Sequence, residues 1–194
     1  MKKLTGLNMG KKGIAALELA LILPILLILV FGIIDFGRLI QARLIVTNVS
    51  REGGSLASRS VSSPNDVLNI LTMLQASGTP LDLNGSGRIY VSRIRAGTSI
   101  SNPNPYIDTS LSKSRGSLVY PSRIGGGPPL GLSEALYQHL EFEGPPQNTS
   151  DIAEIWVVEV YYKYKPITPL PKFIENILIT PGYDGSIIGS KSVF

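Results

Sequence analysis

From Ile14 to Ile34 the chain reads IAALELALILPILLILVFGII, an apolar run interrupted only by the charge of Glu18 and by Pro24. At a rise of about 1.5 Å per residue such a helix is about 32 Å long, against about 30 Å for the hydrocarbon core of a bilayer, so the pattern predicts a membrane-spanning helix over 14–34. Pro24 is tolerated there because neighbouring helices and water can satisfy the carbonyl it frees. Beyond Ile34 the helical period persists but polar positions enter. Phe36, Leu39, Ile40, Leu44, Ile45 and Val49 recur at three- and four-residue spacing, with Arg38, Gln41, Arg43, Asn48 and Arg51 between them, which predicts an amphipathic extension over 35–60. Gly53-Gly54 weakens that helix by about 1 kcal/mol per glycine, so it frays there unless a domain packs against it and carries it to Ser60.

The period then changes several times. Residues 64–77 carry Val67, Leu68, Leu71 and Leu74 at helical spacing, with proline at the first turn and Gly78-Thr79-Pro80 beyond, and predict a short helix. Residues 87–96, entered from the turn pair Asn84-Gly85, are β-branched and roughly alternating and predict a strand whose Arg88, Arg93 and Arg95 form a solvated face. Residues 97–130 are dense in turn pairs such as Asn102-Pro103, Asn104-Pro105 and Gly127-Pro128 and predict a long loop anchored by Tyr106 and Tyr120. A second short helix over 132–142 follows, with Ser133 as its cap and Gly144-Pro145-Pro146 as its end. The strongest strand is 153–165. Trp156, Val158, Val160, Tyr162 and Tyr164 fall on one face, expected to meet the long helix, and Ile155, Val157, Glu159, Tyr161, Lys163 and Lys165 fall on the other. Pro166, Pro169 and Pro171 stop it, Phe173, Ile174, Ile177 and Leu178 suggest a brief helix, and 186–194 reads as a last strand.

Charge changes the picture only once it is located. The formal net charge is +4, but Lys2, Lys3, Lys11 and Lys12 precede the apolar run with no acid among them, which leaves fourteen basic residues against fourteen acidic ones. A short basic segment of this kind belongs on the cytoplasmic side of a membrane, so the expected topology is N-in, C-out, and nucleic acid is not an expected partner. A secretory signal is a poorer fit, because its apolar region is about 7–15 residues long and ends at a small-residue cleavage site. With no cysteine there is neither a disulfide framework nor thiolate chemistry. These boundaries predict a 1–13 basic cytoplasmic leader, a 14–34 transmembrane helix, a 35–60 extension and a 61–194 outward-facing α+β domain.

The run Gly13-Ile-Ala-Ala-Leu-Glu18-Leu-Ala-Leu-Ile-Leu-Pro24, then Phe31-Gly-Ile-Ile-Asp-Phe-Gly-Arg38 and Asn48-Val-Ser-Arg-Glu-Gly53, resembles the TadE-like pseudopilin family of tight-adherence (Flp, type IVc) pilus systems. The likeness covers about the first 60 residues, and Val157 to Pro171 is similar to that family's valine-rich strand running into a proline-containing segment. The resemblance implies a pilin-like α+β fold, a long N-terminal helix packed on a small antiparallel sheet. It also implies a leader cut after Gly13 by a prepilin peptidase, with glutamate at the fifth mature position, which is Glu18. Ile14 departs from the phenylalanine or methionine common at the first mature position of type IV pilins. The implied partners are the lipid bilayer, the prepilin peptidase, other pilins and pseudopilins, and the pilus assembly platform. Glu18 has a plain alternative, a glutamate near the membrane edge reaching for water. In the family's terms it pairs instead with the new amine of Ile14 on a neighbouring subunit.

No catalytic constellation emerges. Gly85-Ser-Gly87 lacks a third glycine and a strand-to-helix setting, Ser110-Leu-Ser-Lys113 lies in a loop-like stretch without companion motifs, and His139, the only histidine, lies near Glu141 and Glu143 without a ligand set for zinc. Glu134, Glu141 and Glu143 have no evident cleft between them, and Asn48, Asn84 and Asn148 begin glycan-type triplets of a kind common in Ser- and Asn-rich sequence. The expectation is a non-enzymatic protein without cofactor or metal. It is either a minor pilin of a tight-adherence pilus or, as the alternative, a generic single-pass anchored binding or adaptor domain.

Overall fold

The computed structural model describes residues 11–144, 152–169 and 185–194, so the greater part of the leader, the suggested helix at 173–178, Pro171, Pro145-Pro146 and the triplet at Asn148 lie outside the described residues. The chain divides into two compact units, Met1–Leu39 with Pro166–Asp184, and Ile40–Lys165 with Gly185–Phe194. Helix α1 runs over Lys11–Ser60 and includes Pro24.

In the first unit the side chains from Ile14 to Val30 are all exposed. The helix has a mean hydropathy of 2.9 in its most apolar window and is long and apolar enough to cross a membrane. One residue past the apolar run, the carboxylate of Asp35 accepts hydrogen bonds from the backbone N–H of Ile167 at 3.1 Å and of Thr168 at 3.3 Å, and from the Thr168 hydroxyl.

The second unit is built on a four-stranded antiparallel sheet in the order β2-β1-β3-β4. The strands are β1, Gly87–Arg95, β2, Tyr106–Arg115, β3, Glu154–Tyr164, and β4, Ser186–Val193. β3 lies between β1 and β4, pairing Gly87 with Tyr162 through Arg95 with Glu154 on one side, and Val157 with Val193 through Tyr164 with Ser186 on the other. The predicted face of β3 does meet the long helix. Trp156, Val158 and Val160 share one core with Val46, Val49 and Ala57 of α1 and with Val67, Ile70, Leu71 and Leu74 of α2, Pro64–Ser77. α2 begins where its sequence says it should. Ser63 caps it and Asp66 closes the capping box, its carboxylate accepting from the N–H of Ser62 at 2.9 Å and of Ser63 at 2.8 Å. The Ser62 bond, then those with Ser63, hold the Asp66 carboxyl below the ordinary aspartate range.

Of the predicted apolar stripe on α1 only the end at Ile45 and Val49 packs on the core. Phe36, Ile40 and Leu44 are exposed, whereas Ala42, Val46, Val49, Ser50, Gly53, Gly54 and Ala57 are buried. Small side chains let the helix backbone approach the sheet closely, and Gly53-Gly54 marks that approach rather than a fraying end. A methyl group at Gly53 would stand 2.7 Å from Leu74 Cδ1, and one at Gly54 2.0 Å from the ring of Phe194.

The opposite face of the sheet is covered too. Ile155, Val157, Ile94 and Ala96 pack with Ile124 and Leu132 and with Tyr137 and Leu140. The last two belong to α3, Glu134–Leu140, shorter than the predicted 132–142, and Ser133 precedes it without a side-chain capping bond. Glu159 is fully buried. The predicted loop over 97–130 contains β2. Its polar residues suit an edge strand with one neighbour, and between Val91–Lys113 and Arg93–Asp108 it bulges, the four residues Thr109 to Ser112 on β2 lying opposite the single Ser92 on β1. Tyr120 anchors the segment after β2, as expected, its carbonyl accepting from the Tyr90 hydroxyl at 2.5 Å, whereas Tyr106 is exposed. Two of the three arginines assigned to a solvated face are partly buried and engaged. Arg93 donates from Nε to Glu154 at 3.0 Å, pairs with Asp108 at 3.4 Å and lies over the Trp156 ring, and Arg88 donates to the Gly116 carbonyl at 2.6 Å and to Ser114 at 2.9 Å. Arg95 is exposed.

Candidate functional site

Gly13, Ile14 and Glu18 all lie in α1, and all three are exposed. Ile14 and Glu18 are four residues apart in the helix, so they share a face at a separation of about 6 Å along the axis. The described residues offer the Glu18 carboxylate no hydrogen-bond or ion-pair partner. An isolated carboxylate on a fully exposed apolar helix is costly in hydrocarbon, about 2.5–3.5 kcal/mol at the centre of a bilayer on insertion scales, and a cation on the same face one turn away would offset that cost. Chemically, the arrangement is a peptide bond, an apolar surface and one anion, all open to whatever surrounds the helix.

The other candidate groups are held apart. Ser110 and Lys113 lie in the β2 bulge, and they do not bond each other: Ser110 donates to Asp108, and Lys113 donates to the Thr109 carbonyl at 3.4 Å. Gly85 sits in the turn before β1, its N–H donating to Asp82 at 2.8 Å. His139 is exposed on α3, with its carbonyl accepting from Ile152 at 3.2 Å. Among the described residues no three His, Cys, Asp or Glu side chains gather as a metal site would require. The triplet at Asn48 has its serine, Ser50, fully buried within hydrogen-bond distance of Ser190 at 2.8 Å and Ser192 at 3.0 Å.

Two polar constellations were not anticipated. The first is the Asp35 contact with Ile167 and Thr168, which joins positions more than a hundred residues apart and has no local signature. The second surrounds Glu159. Its carboxylate accepts from the Tyr161 hydroxyl at 2.7 Å, the Arg123 N–H at 3.0 Å and the Ser122 hydroxyl, and the Tyr120 ring stands 4.5 Å from that of Tyr161. Burial first, and then the hydrogen bond and charge of Glu159, push the Tyr161 phenol well above its ordinary range. The donors from Ser122 and Arg123, with the Tyr120 ring against that of Tyr161, thus fasten the segment after β2 to the sheet. A signal for it did exist, since a strand apolar on both faces, as in Trp156-Val-Val-Glu-Val160, implies that the intervening glutamate is buried and needs donors.

No curated protein and no solved structure matches the chain. The family model described as TadE-like protein matches residues 13–55, opening at Gly13 and ending beside the glycine pair where α1 packs on the sheet, so over this stretch the chain is similar to that family.

Proposed function

We propose that this protein is a non-enzymatic minor pilin, or pseudopilin, that takes part in the assembly or the tip of a tight-adherence pilus. The observation that carries the proposal is the coincidence of two boundaries: the TadE-like match begins at Gly13, and the exposed apolar run begins at Ile14. In this reading the chain is inserted N-in, C-out in the inner membrane, and a prepilin peptidase cuts the Gly13–Ile14 bond. Removal of the leader takes away Lys2, Lys3, Lys11 and Lys12, charges that would otherwise have to cross hydrocarbon when the helix is drawn outward into a filament. The new α-amine of Ile14 then has Glu18 of a neighbouring subunit as its counter-ion, and pairing the two removes both charges from lipid and sets the axial register.

N-terminal sequencing of the membrane-extracted protein from cells with a working pilus system tests the reading, and the expected first residue is Ile14. Gly13→Leu is expected to leave an uncut, inserted and unassembled chain. Glu18→Gln is expected to insert at least as well as the native chain, because a charge is gone, yet to enter the pilus fraction poorly. Intact protein that keeps Met1 to Gly13 in such cells would overturn the pilin assignment and leave a membrane-anchored binding domain in its place.

A further inference from the structure

Immediately after β3 the chain reads Pro166-Ile167-Thr168-Pro169, and the backbone donors of these four residues are completely accounted for. Pro166 and Pro169 have no N–H, while those of Ile167 and Thr168 both point to the Asp35 carboxylate, at 3.1 and 3.3 Å. The Thr168 hydroxyl also donates to Asp35. A non-helical segment in water has no need of such an arrangement, because water satisfies its donors. At the edge of hydrocarbon the need is acute, since each unsatisfied N–H there costs several kcal/mol.

The height of the segment agrees. Asp35 follows directly on Ile34, the last residue of the apolar run, and its hydrogen bonds hold the Ile167 backbone at that same level along the helix. The Ile167 side chain is 61% exposed there, and Phe36 beside Asp35 in sequence is 63% exposed. Large apolar side chains bared to water are unfavourable, but at this level they adjoin the apolar run of 14–34. Arg38, three residues beyond Asp35, is exposed, and its guanidinium is a group suited to pairing with a lipid phosphate.

We propose that Pro166–Pro169 is a second membrane contact, held by Asp35 so that Ile167 dips into the headgroup–acyl boundary around the helix. The occupant of this surface is phospholipid. The inference rests on the reading of 14–34 as a membrane span, and it adds that the chain touches the bilayer at two places far apart in sequence. Asp35 is then a positioning residue, its carboxylate serving as the acceptor that an extended backbone lacks in lipid.

The absence of cysteine from the chain makes the test direct. Ile167→Cys and, as a reference in the middle of the span, Leu27→Cys are each labelled with an environment-sensitive fluorophore in the full-length protein. They are then reconstituted into vesicles of phosphatidylethanolamine and phosphatidylglycerol that carry a nitroxide either at the headgroup or deep in the acyl chain. The expected result is strong quenching of the Leu27 probe by the deep nitroxide and of the Ile167 probe by the shallow one, as for a side chain about 5–10 Å into the interface. With Asp35→Ala added, shallow quenching at 167 is expected to be lost while quenching at 27 is unchanged; Thr168→Val should give an intermediate loss. A quenched Leu27 probe with an unquenched Ile167 probe overturns this inference and leaves the span intact. An unquenched Leu27 probe overturns the span, and the inference with it. Quenching at 167 that survives Asp35→Ala overturns the role of the carboxylate.

Discussion

Adjacent glycines in α1 offer a measurement in which helix propensity cancels. Replacing glycine by alanine in a helix interior gains about 1 kcal/mol from propensity alone, and on that ground both Gly53→Ala and Gly54→Ala should stabilise the protein equally. Packing separates them. At Gly53 the new methyl would lie 2.7 Å from Leu74 Cδ1 and 3.0 Å from Val158 Cγ1, and both of those side chains are fully buried in the core. Overfilling such a site costs about 1–3 kcal/mol, so the clash meets or exceeds the propensity gain. At Gly54 the methyl would meet only the ring of Phe194, the last residue, which is 45% exposed and can swing toward water while its backbone stays bonded to Trp156. Gly53→Ala should therefore be less stable than Gly54→Ala by about 1–2 kcal/mol. Thermal unfolding of the full-length protein in detergent, followed by the fluorescence of Trp156, the only tryptophan, reads this difference at the core itself. Equal midpoints for the two variants, or a higher one for Gly53→Ala, would show that the helix does not approach the sheet as closely as described.

Two further outcomes follow from the polar contacts. Glu159→Gln should lower the Tyr161 phenol but leave it above the ordinary tyrosine value of 10.0, because burial is the larger cause and remains; alkaline titration with tyrosine-specific labels reads it, and an unmoved Tyr161 would refute the Glu159 contact. Asp66 has a folded value depressed below 3.8, so its contribution to the start of α2 is present above that pH and is lost as pH falls through the depressed value. Wild-type protein should therefore lose more stability than Asp66→Asn on acidification from pH 5 to pH 2, as followed by thermal midpoints, and parallel losses would sink the capping assignment.

Much of the fold was legible from local pattern because the cause was local. The apolar run from Ile14 to Ile34 is a matter of composition, the start of α2 is dictated by Ser63, Pro64 and Asp66, and the strand character of 154–164 follows from its β-branched and aromatic residues. The TadE-like character of 13–55 is likewise written in contiguous residues.

What only the tertiary structure decided concerns partners distant in the chain. β2, from Tyr106 to Arg115, has only Tyr106, Ile107 and Leu111 among Ser, Thr, Asp, Lys and Arg, with no apolar alternation, and it becomes a strand because β1 offers its edge. Period-2 patterning marks two faces of β3, and Ile155 and Val157 on the second hint that it is covered, but the pattern cannot say by what. The segment carrying Ile124 and Leu132, together with α3, covers it, and so Glu159 requires Ser122, Arg123 and Tyr161. In α1 the spacing marks Phe36, Leu39, Ile40, Leu44, Ile45 and Val49 as one stripe, yet only Ile45 and Val49 of these pack, because the helix approaches the sheet by the small-residue side with Gly53 and Gly54. Asp35 meets Ile167 and Thr168 for the same kind of reason: an isolated carboxylate states in sequence that it needs donors, and only the folded chain brings them to it.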